Sequence, residues 1–112
     1  MTSTVTRGLA PVRSVLSNGA VVIAQETVMT PAVTISAVFH AGSVYEPAEF
    51  PGLAYMSGRL IDRGTERRNA TDIARELDDR GVSLRISTNR HAITLTSTCL
   101  AEDFPEILDI IL

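Results

Sequence analysis

A chain of 112 residues, 45% hydrophobic and 21% charged, is long enough for one modest domain with its own core, and its composition is that of a globular chain rather than a disordered one. The net charge of −3 and a pI near 5.3 argue against a nucleic-acid surface, and no apolar run approaches the ~20 residues of a membrane-spanning helix. A single cysteine, Cys99, excludes an internal disulfide; lying in an alternating strand, it reads as a small packed hydrophobe.

No secretory-type apolar core follows the N-terminus, which makes a cytoplasmic address the default expectation. Residues 1 to 25 contain two arginines, several Ser/Thr and no acid, a composition shared with organelle transit peptides, although much of the stretch reads as strand. Apolar runs over 12–16 and 20–25 flank Ser17-Asn18-Gly19, and an Asn-Gly step between two such runs predicts a β-hairpin. A third strand is expected over 32–40, where Val33, Ile35, Ala37 and Phe39 alternate with Thr34, Ser36, Val38 and His40. Ala41 to Pro51 reads as a loop held by Gly42, Pro47 and Pro51. A first helix is expected over 52–61, stopping before Gly64.

The second helix, 69–80, has the stronger signals: Asn69 as N-cap, Asp72 three positions on, an apolar stripe of Ala70, Ile73, Ala74 and Leu77, and Gly81 to end it. Its outer charges, Arg75, Glu76, Asp78 and Asp79, are expected to meet water. Strands over 82–88 and 91–99 then alternate about a turn at Asn89-Arg90, a second hairpin. A last helix, 103–112, opens with Asp103 as capping acid, Pro105 and a glutamate, Glu106. Its stripe stops at Ile110-Ile111-Leu112 with no closing signal, so the chain reads as cut short at its C-terminus.

Residues 52 to 65, Gly-Leu-Ala-Tyr-Met-Ser-Gly-Arg-Leu-Ile-Asp-Arg-Gly-Thr, have the frame of an inverted zinc-protease motif, in which two histidines at i and i+4 of one helix chelate zinc and a glutamate at i+3 is the general base. Together with Leu16-Ser17-Asn18-Gly19, Ala41-Gly42-Ser43-Val44-Tyr45-Glu46-Pro47, Asp72-Ile73-Ala74-Arg75-Glu76-Leu77, Gly81 and Ala101-Glu102-Asp103-Phe104-Pro105-Glu106, this stretch resembles the pitrilysin/insulinase (M16) family of zinc peptidases, which includes the mitochondrial processing peptidases and the core subunits of the cytochrome bc1 complex. Each piece is weak alone; their order and spacing are specific. The resemblance and the element order imply an α+β fold, a largely antiparallel sheet with helices packed on one face, and make the chain the first part of a single M16-like domain.

The resemblance puts the first histidine on Tyr55, the glutamate on Gly58 and the second histidine on Arg59. A neutral phenol is a poor zinc ligand, glycine cannot take a proton, and a guanidinium repels a divalent ion. The family's third ligand lies on a helix beyond Leu112. An ordinary helix face accounts for Tyr55, Arg59 and Asp62 at i, i+4 and i+7, and Gly58 marks either a close approach by another backbone or simple drift.

The resemblance therefore implies a non-catalytic subunit or domain: no cofactor of its own, zinc only in a catalytic partner, and a second M16-type domain or self-association completing a peptidase chamber or a scaffold. An extended peptide would be held by strand addition along Leu84, Arg85, Ile86, Ser87 and Thr88. Active relatives carry an asparagine and a small residue where Arg85 and Ile86 stand, and Arg85 also reads as a charge that blunts a sheet edge. The alternative is an active zinc peptidase with ligands drawn from His40, His91, Asp62 or Glu66; no pair among them has i, i+4 histidine spacing. A third reading is an unrelated α+β binding module. No nucleic-acid or membrane partner is expected.

Overall fold

The computed structural model describes residues 8–112, and residues 1–7 of the transit-peptide-like stretch lie outside them. The chain forms two units, one up to Thr30 and one from Pro31 onward.

In the first unit, β1 (Val12–Val15) and β2 (Val21–Ala24) pair antiparallel, with Val15 opposite Val21. Gly19 sits at φ 86°, the left-handed region that the Asn-Gly signal anticipates, and Asn18 Oδ1 accepts from the Ala20 N–H at 3.0 Å. Leu16 and Ala20 belong to the turn, bonded N–H to O at 2.8 Å, so both strands are shorter than expected. Every residue of the pair is exposed, the apolar Val12 (65%) and Ile23 (66%) included.

The second unit is a three-stranded antiparallel sheet with helices. Strands β3 (Ala32–Phe39), β4 (Leu84–Thr88) and β5 (Ile93–Leu100) lie in the order β3-β5-β4, and the helices are α1 (Leu53–Leu60), α2 (Ala70–Asp79) and α3 (Phe104–Ile111). The register sets Ala37 and Ile86 on either side of Leu95, so one sheet face is apolar across all three strands. Onto it pack Ile73 of α2, Ile107, Ile110 and Ile111 of α3, and Val82, with Ile93, Leu95 and Cys99 buried beneath. This is the expected α+β arrangement. The other sheet face carries hydroxyls: Thr34 and Thr98 bond across the strands at 2.9 Å. Phe39, expected in the core, is 43% exposed.

Local hydrogen bonds explain where the predicted boundaries moved. Asn69 and Asp72 form a reciprocal capping box (2.8 and 3.0 Å), as the spacing implied. At the other end of α2, with Gly81 at φ 64°, the Val82 N–H returns to the Leu77 carbonyl at 2.9 Å; Val82 is thereby tied to the helix, and β4 starts at Leu84 rather than at 82. Asn89 Oδ1 accepts from the N–H groups of His91 (2.8 Å) and Ala92 (2.9 Å), which postpones β5 to Ile93. Ser97 falls on the buried face and is 2% exposed; its hydroxyl donates to the Ser83 carbonyl at 3.1 Å.

Three expectations are corrected. Asp103 does not cap α3: its backbone is already helical (φ −90°, ψ −8°), and its carboxylate instead meets Arg80 Nε at 3.4 Å. Glu76 does not simply face water, because Arg68 Nε donates to both its oxygens (3.1 and 3.2 Å) while Arg68 Nη2 donates to Asp109 at 2.9 Å. Ala74, placed in the apolar stripe, is exposed, while Ile73 and Leu77 carry the contact with the sheet. The Arg68 hydrogen bond, and then the charge of Arg67, hold the Asp109 carboxyl below its ordinary range.

Ile107 is the one fully buried large side chain among the described residues, at 0% exposure. Replacing it with alanine leaves a cavity under α3, and we expect Ile107→Ala to cost about 2–5 kcal/mol. Urea unfolding followed by circular dichroism measures this loss; a change within ~0.5 kcal/mol would mean that α3 does not hold the sheet as described.

Candidate functional site

The site that the motif frame singles out is built from α1, the loop before it and the β4–β5 hairpin. The loop is docked by its backbone: Ser43 and Val44 donate to the carbonyls of Asn89 (3.3 Å) and Arg90 (2.9 Å). A Cβ at Gly42 would strike the Arg90–His91 peptide, so glycine is what permits this approach. From the same loop, Glu46 reaches the start of α1, each carboxylate oxygen accepting one backbone N–H, from Gly52 and Ala54, both at 3.1 Å. Gly52, at φ 90°, offers no side-chain cap, so Glu46 supplies it from six residues away. Sequence reasoning placed Glu46 only within a matching segment; a capping residue that far from its helix leaves no local signal.

Along α1, Ala54 and Gly58 are buried, whereas Tyr55 (64% exposed) and Arg59 face outward. Gly58 is a place of close approach, though the neighbour is a side chain and not a backbone. A Cβ there would run into Thr88 Oγ1 and lie 3.3 Å from Thr88 Cβ. Turning the Thr88 hydroxyl away relieves only the first of these contacts. The helix is thus seated on the end of β4 through a residue without a side chain.

Zinc needs nitrogen, sulfur or oxygen donors converging on one point. A neutral phenol is a poor ligand, a glycine has no side chain and a guanidinium is a cation, so Tyr55, Gly58 and Arg59 do not fit the metal. Among the described residues no three His, Cys, Asp or Glu side chains stand close enough together to hold a metal ion. His40 packs edge-on against Tyr45, with ring centroids 6.4 Å apart, and Asp62 lies 3.6 Å from Arg63 Nε. Burial and the charge of Asp103 push the Cys99 thiol above its ordinary pKa, as suits a packing residue. On β4, Leu84, Ile86 and Thr88 are half-buried, Arg85 and Ser87 are exposed, and the outer edge pairs with no strand among the described residues.

Gly58→Ala sets two effects against each other. Alanine favours a helix interior by about 1 kcal/mol, and overpacking against Thr88 costs about 1–3 kcal/mol. We expect the clash to win, and Gly58→Ala combined with Thr88→Ala to recover part of the loss; equal effects in both backgrounds, measured in a double-mutant cycle, would contradict the contact. Glu46 gives a pH dependence. The Ala54 N–H first, and the Gly52 N–H second, hold its carboxyl below the usual range. A lowered folded-state pKa contributes stability that is complete above the unfolded value and lost as the pH falls through the folded one. Glu46→Gln is therefore expected to be less stable than the parent at about pH 7, with the gap narrowing as the pH falls below the ordinary glutamate pKa of about 4.3, as thermal unfolding across that range would reveal.

Residues 21–112 match the insulinase family, peptidase family M16. The chain is 28% identical over 104 residues to the mitochondrial-processing peptidase subunit beta of Neurospora crassa, covering 93% of this chain and 22% of that protein. It is 28% identical over 90 residues to the probable mitochondrial-processing peptidase subunit alpha-1 of Arabidopsis thaliana, covering 80% of this chain and 18% of that one. The chain thus spans about a fifth of the length of these relatives. Among solved structures, the peptidase M16 inactive domain from Pseudomonas fluorescens superposes with a TM-score of 0.83 at 18% identity, over 91% of this chain and 25% of that one. With the family match covering most of its length, the chain belongs to the insulinase (M16) peptidase family.

Proposed function

We propose that this chain is a non-catalytic member of its family, which forms part of a peptidase chamber or scaffold beside a catalytic partner and binds no zinc itself. The observation that carries the proposal is the seating of α1. Where the family's general base would project, Gly58 is closed against Thr88, and the neighbouring ligand positions hold Tyr55 and Arg59. Restoring the reaction would need three new side chains, one of them at a position where Thr88 would have to give way to a Cβ.

A partner is supported by what α1 leaves uncovered. Leu53, Met56 and Leu60 are 45%, 55% and 56% exposed on one short helix, an apolar face of the kind buried at subunit contacts. Two relatives of the chain are themselves subunits of mitochondrial-processing peptidases, an alpha-1 subunit in Arabidopsis thaliana and a beta subunit in Neurospora crassa. In this reading the outer edge of β4, Leu84 to Thr88, receives an extended peptide through main-chain hydrogen bonds and presents it to the partner's metal site.

Two measurements on the purified chain test the proposal. Metal analysis after zinc loading is expected to show far less than one zinc per chain, with no peptide hydrolysis by the chain alone. Mixed with an M16 subunit that keeps His-x-x-Glu-His, the chain is expected to co-elute and to raise that subunit's peptidase rate. Stoichiometric zinc together with chelator-sensitive hydrolysis by the isolated chain would overturn the reading.

A further inference from the structure

Charge is unevenly distributed along this acidic chain. Its net charge is −3, yet residues 80 to 100 contain Arg80, Arg85 and Arg90 with no Asp or Glu, and α1 carries Arg59 with no acid. Arg80 is occupied, its Nε 3.4 Å from Asp103 and its Nη1 donating to the Glu76 carbonyl at 3.1 Å. Among the described residues Arg13, Arg59, Arg75, Arg85 and Arg90 form no ion pair; Arg13 lies in the first unit and Arg75 on α2 beside Glu76, Asp78 and Asp79, which leaves Arg59, Arg85 and Arg90.

These three arginines stand on elements that adjoin one feature, the outer edge of β4, which pairs with no strand among the described residues. Gly58 meets Thr88, which lies on the same side of the strand as Leu84 and Ile86, so α1, with Arg59 next in sequence, flanks that side. Arg85 alternates with these residues and belongs to the opposite face, across from Thr96 of β5. Arg90 stands in the turn that closes the hairpin. A peptide added to a sheet edge points successive side chains to opposite faces. One set of its side chains would pass on the Arg59 side and the alternate set on the Arg85 side.

We infer that the β4 edge, flanked by Arg59 and Arg85 and extended by Arg90, selects an extended peptide rich in Asp and Glu. The inference deepens the reading of the chain as a metal-free, peptide-holding family member and rests on it. In that reading Arg59 stands at a zinc-ligand position and Arg85 on the peptide-receiving strand, and both are cations that favour anionic side chains over a divalent ion. A nucleic acid supplies the charge but no amide ladder to match the strand edge.

The test is fluorescence anisotropy with a labelled peptide alternating Glu and Thr. Its comparators are the same peptide with Gln for Glu, the Glu peptide N-methylated at alternate amides, and a single-stranded oligothymidylate of equal charge. The Glu peptide is expected to bind about tenfold more tightly than the Gln peptide at low salt, the sum of two or three exposed ion pairs, with the ratio shrinking as salt rises. Arg59→Gln and Arg85→Gln are each expected to lower that ratio about threefold while thermal unfolding is unchanged, since both side chains are exposed. N-methylation is expected to abolish binding. Equal affinity for the Glu and Gln peptides, a ratio unmoved by either arginine substitution, or undiminished binding of the N-methylated peptide or the oligonucleotide would overturn the inference. Zinc-dependent hydrolysis by the chain alone would remove the non-catalytic reading yet leave the Glu-to-Gln ratio as measured, so the two failures are distinguishable.

Discussion

The contact between Gly58 and Thr88 governs how this unit presents its surface. An eight-residue helix is marginal on its own, so α1 takes its position from what it touches rather than from propensity. Gly58 sets how closely the helix approaches β4, and Glu46 holds its first turn by two backbone N–H groups. Gly42 lets the preceding loop lie against the hairpin turn. With Ala54 and Gly58 turned inward, Tyr55 and Arg59 have nowhere to go but out.

The rest of the unit is organised around β5, which pairs on both sides and carries the most deeply buried strand residues. Its apolar face is the floor on which α2 and α3 settle. Arg68 joins Glu76 of α2 to Asp109 of α3, and Arg80 joins the end of α2 to Asp103. These pairs are exposed or half-exposed, and solvent screens them, so they orient the helices while the apolar contacts supply the stability. Arg68 is engaged by two acids at once, which raises its pKa, through Asp109 first and Glu76 second.

Charge balance separates the two ends of the unit. Around α2 and α3, Arg67, Arg68 and Arg80 are matched by acids, while Arg75 on α2 forms no ion pair among the described residues. Around the β4 edge Arg59, Arg85 and Arg90 form no ion pair among them either, and no acid lies between residues 80 and 100, although the chain as a whole is acidic. In the proposed reading a guanidinium, Arg59, stands at a position where active members of the family hold a zinc ligand, and its charge repels a divalent ion.

Much of the fold was legible in the residues because its determinants are local. Asn18-Gly19 specifies a left-handed turn, Asn69 and Asp72 cap each other three positions apart, and the alternation through Ile93, Leu95 and Cys99 marks one buried face. The α+β class and the family frame followed from such signals in order. Boundaries shifted by one or two residues where a backbone N–H had a better partner than its strand, as at Val82 and Ala92. What could not be read was everything set by residues distant in sequence: Glu46 capping α1, Asp103 turned aside by Arg80, Glu76 drawn to Arg68, and Gly58 closing on Thr88. The sequence by itself determined the elements, their faces and the absence of zinc-binding side chains at 55, 58 and 59, because these are matters of residue type and period. Only the tertiary structure decided that Gly58 closes on Thr88 and that Arg59, Arg85 and Arg90 are left without an acid partner among the described residues, because packing distance and ion pairing exist only once the chain has folded.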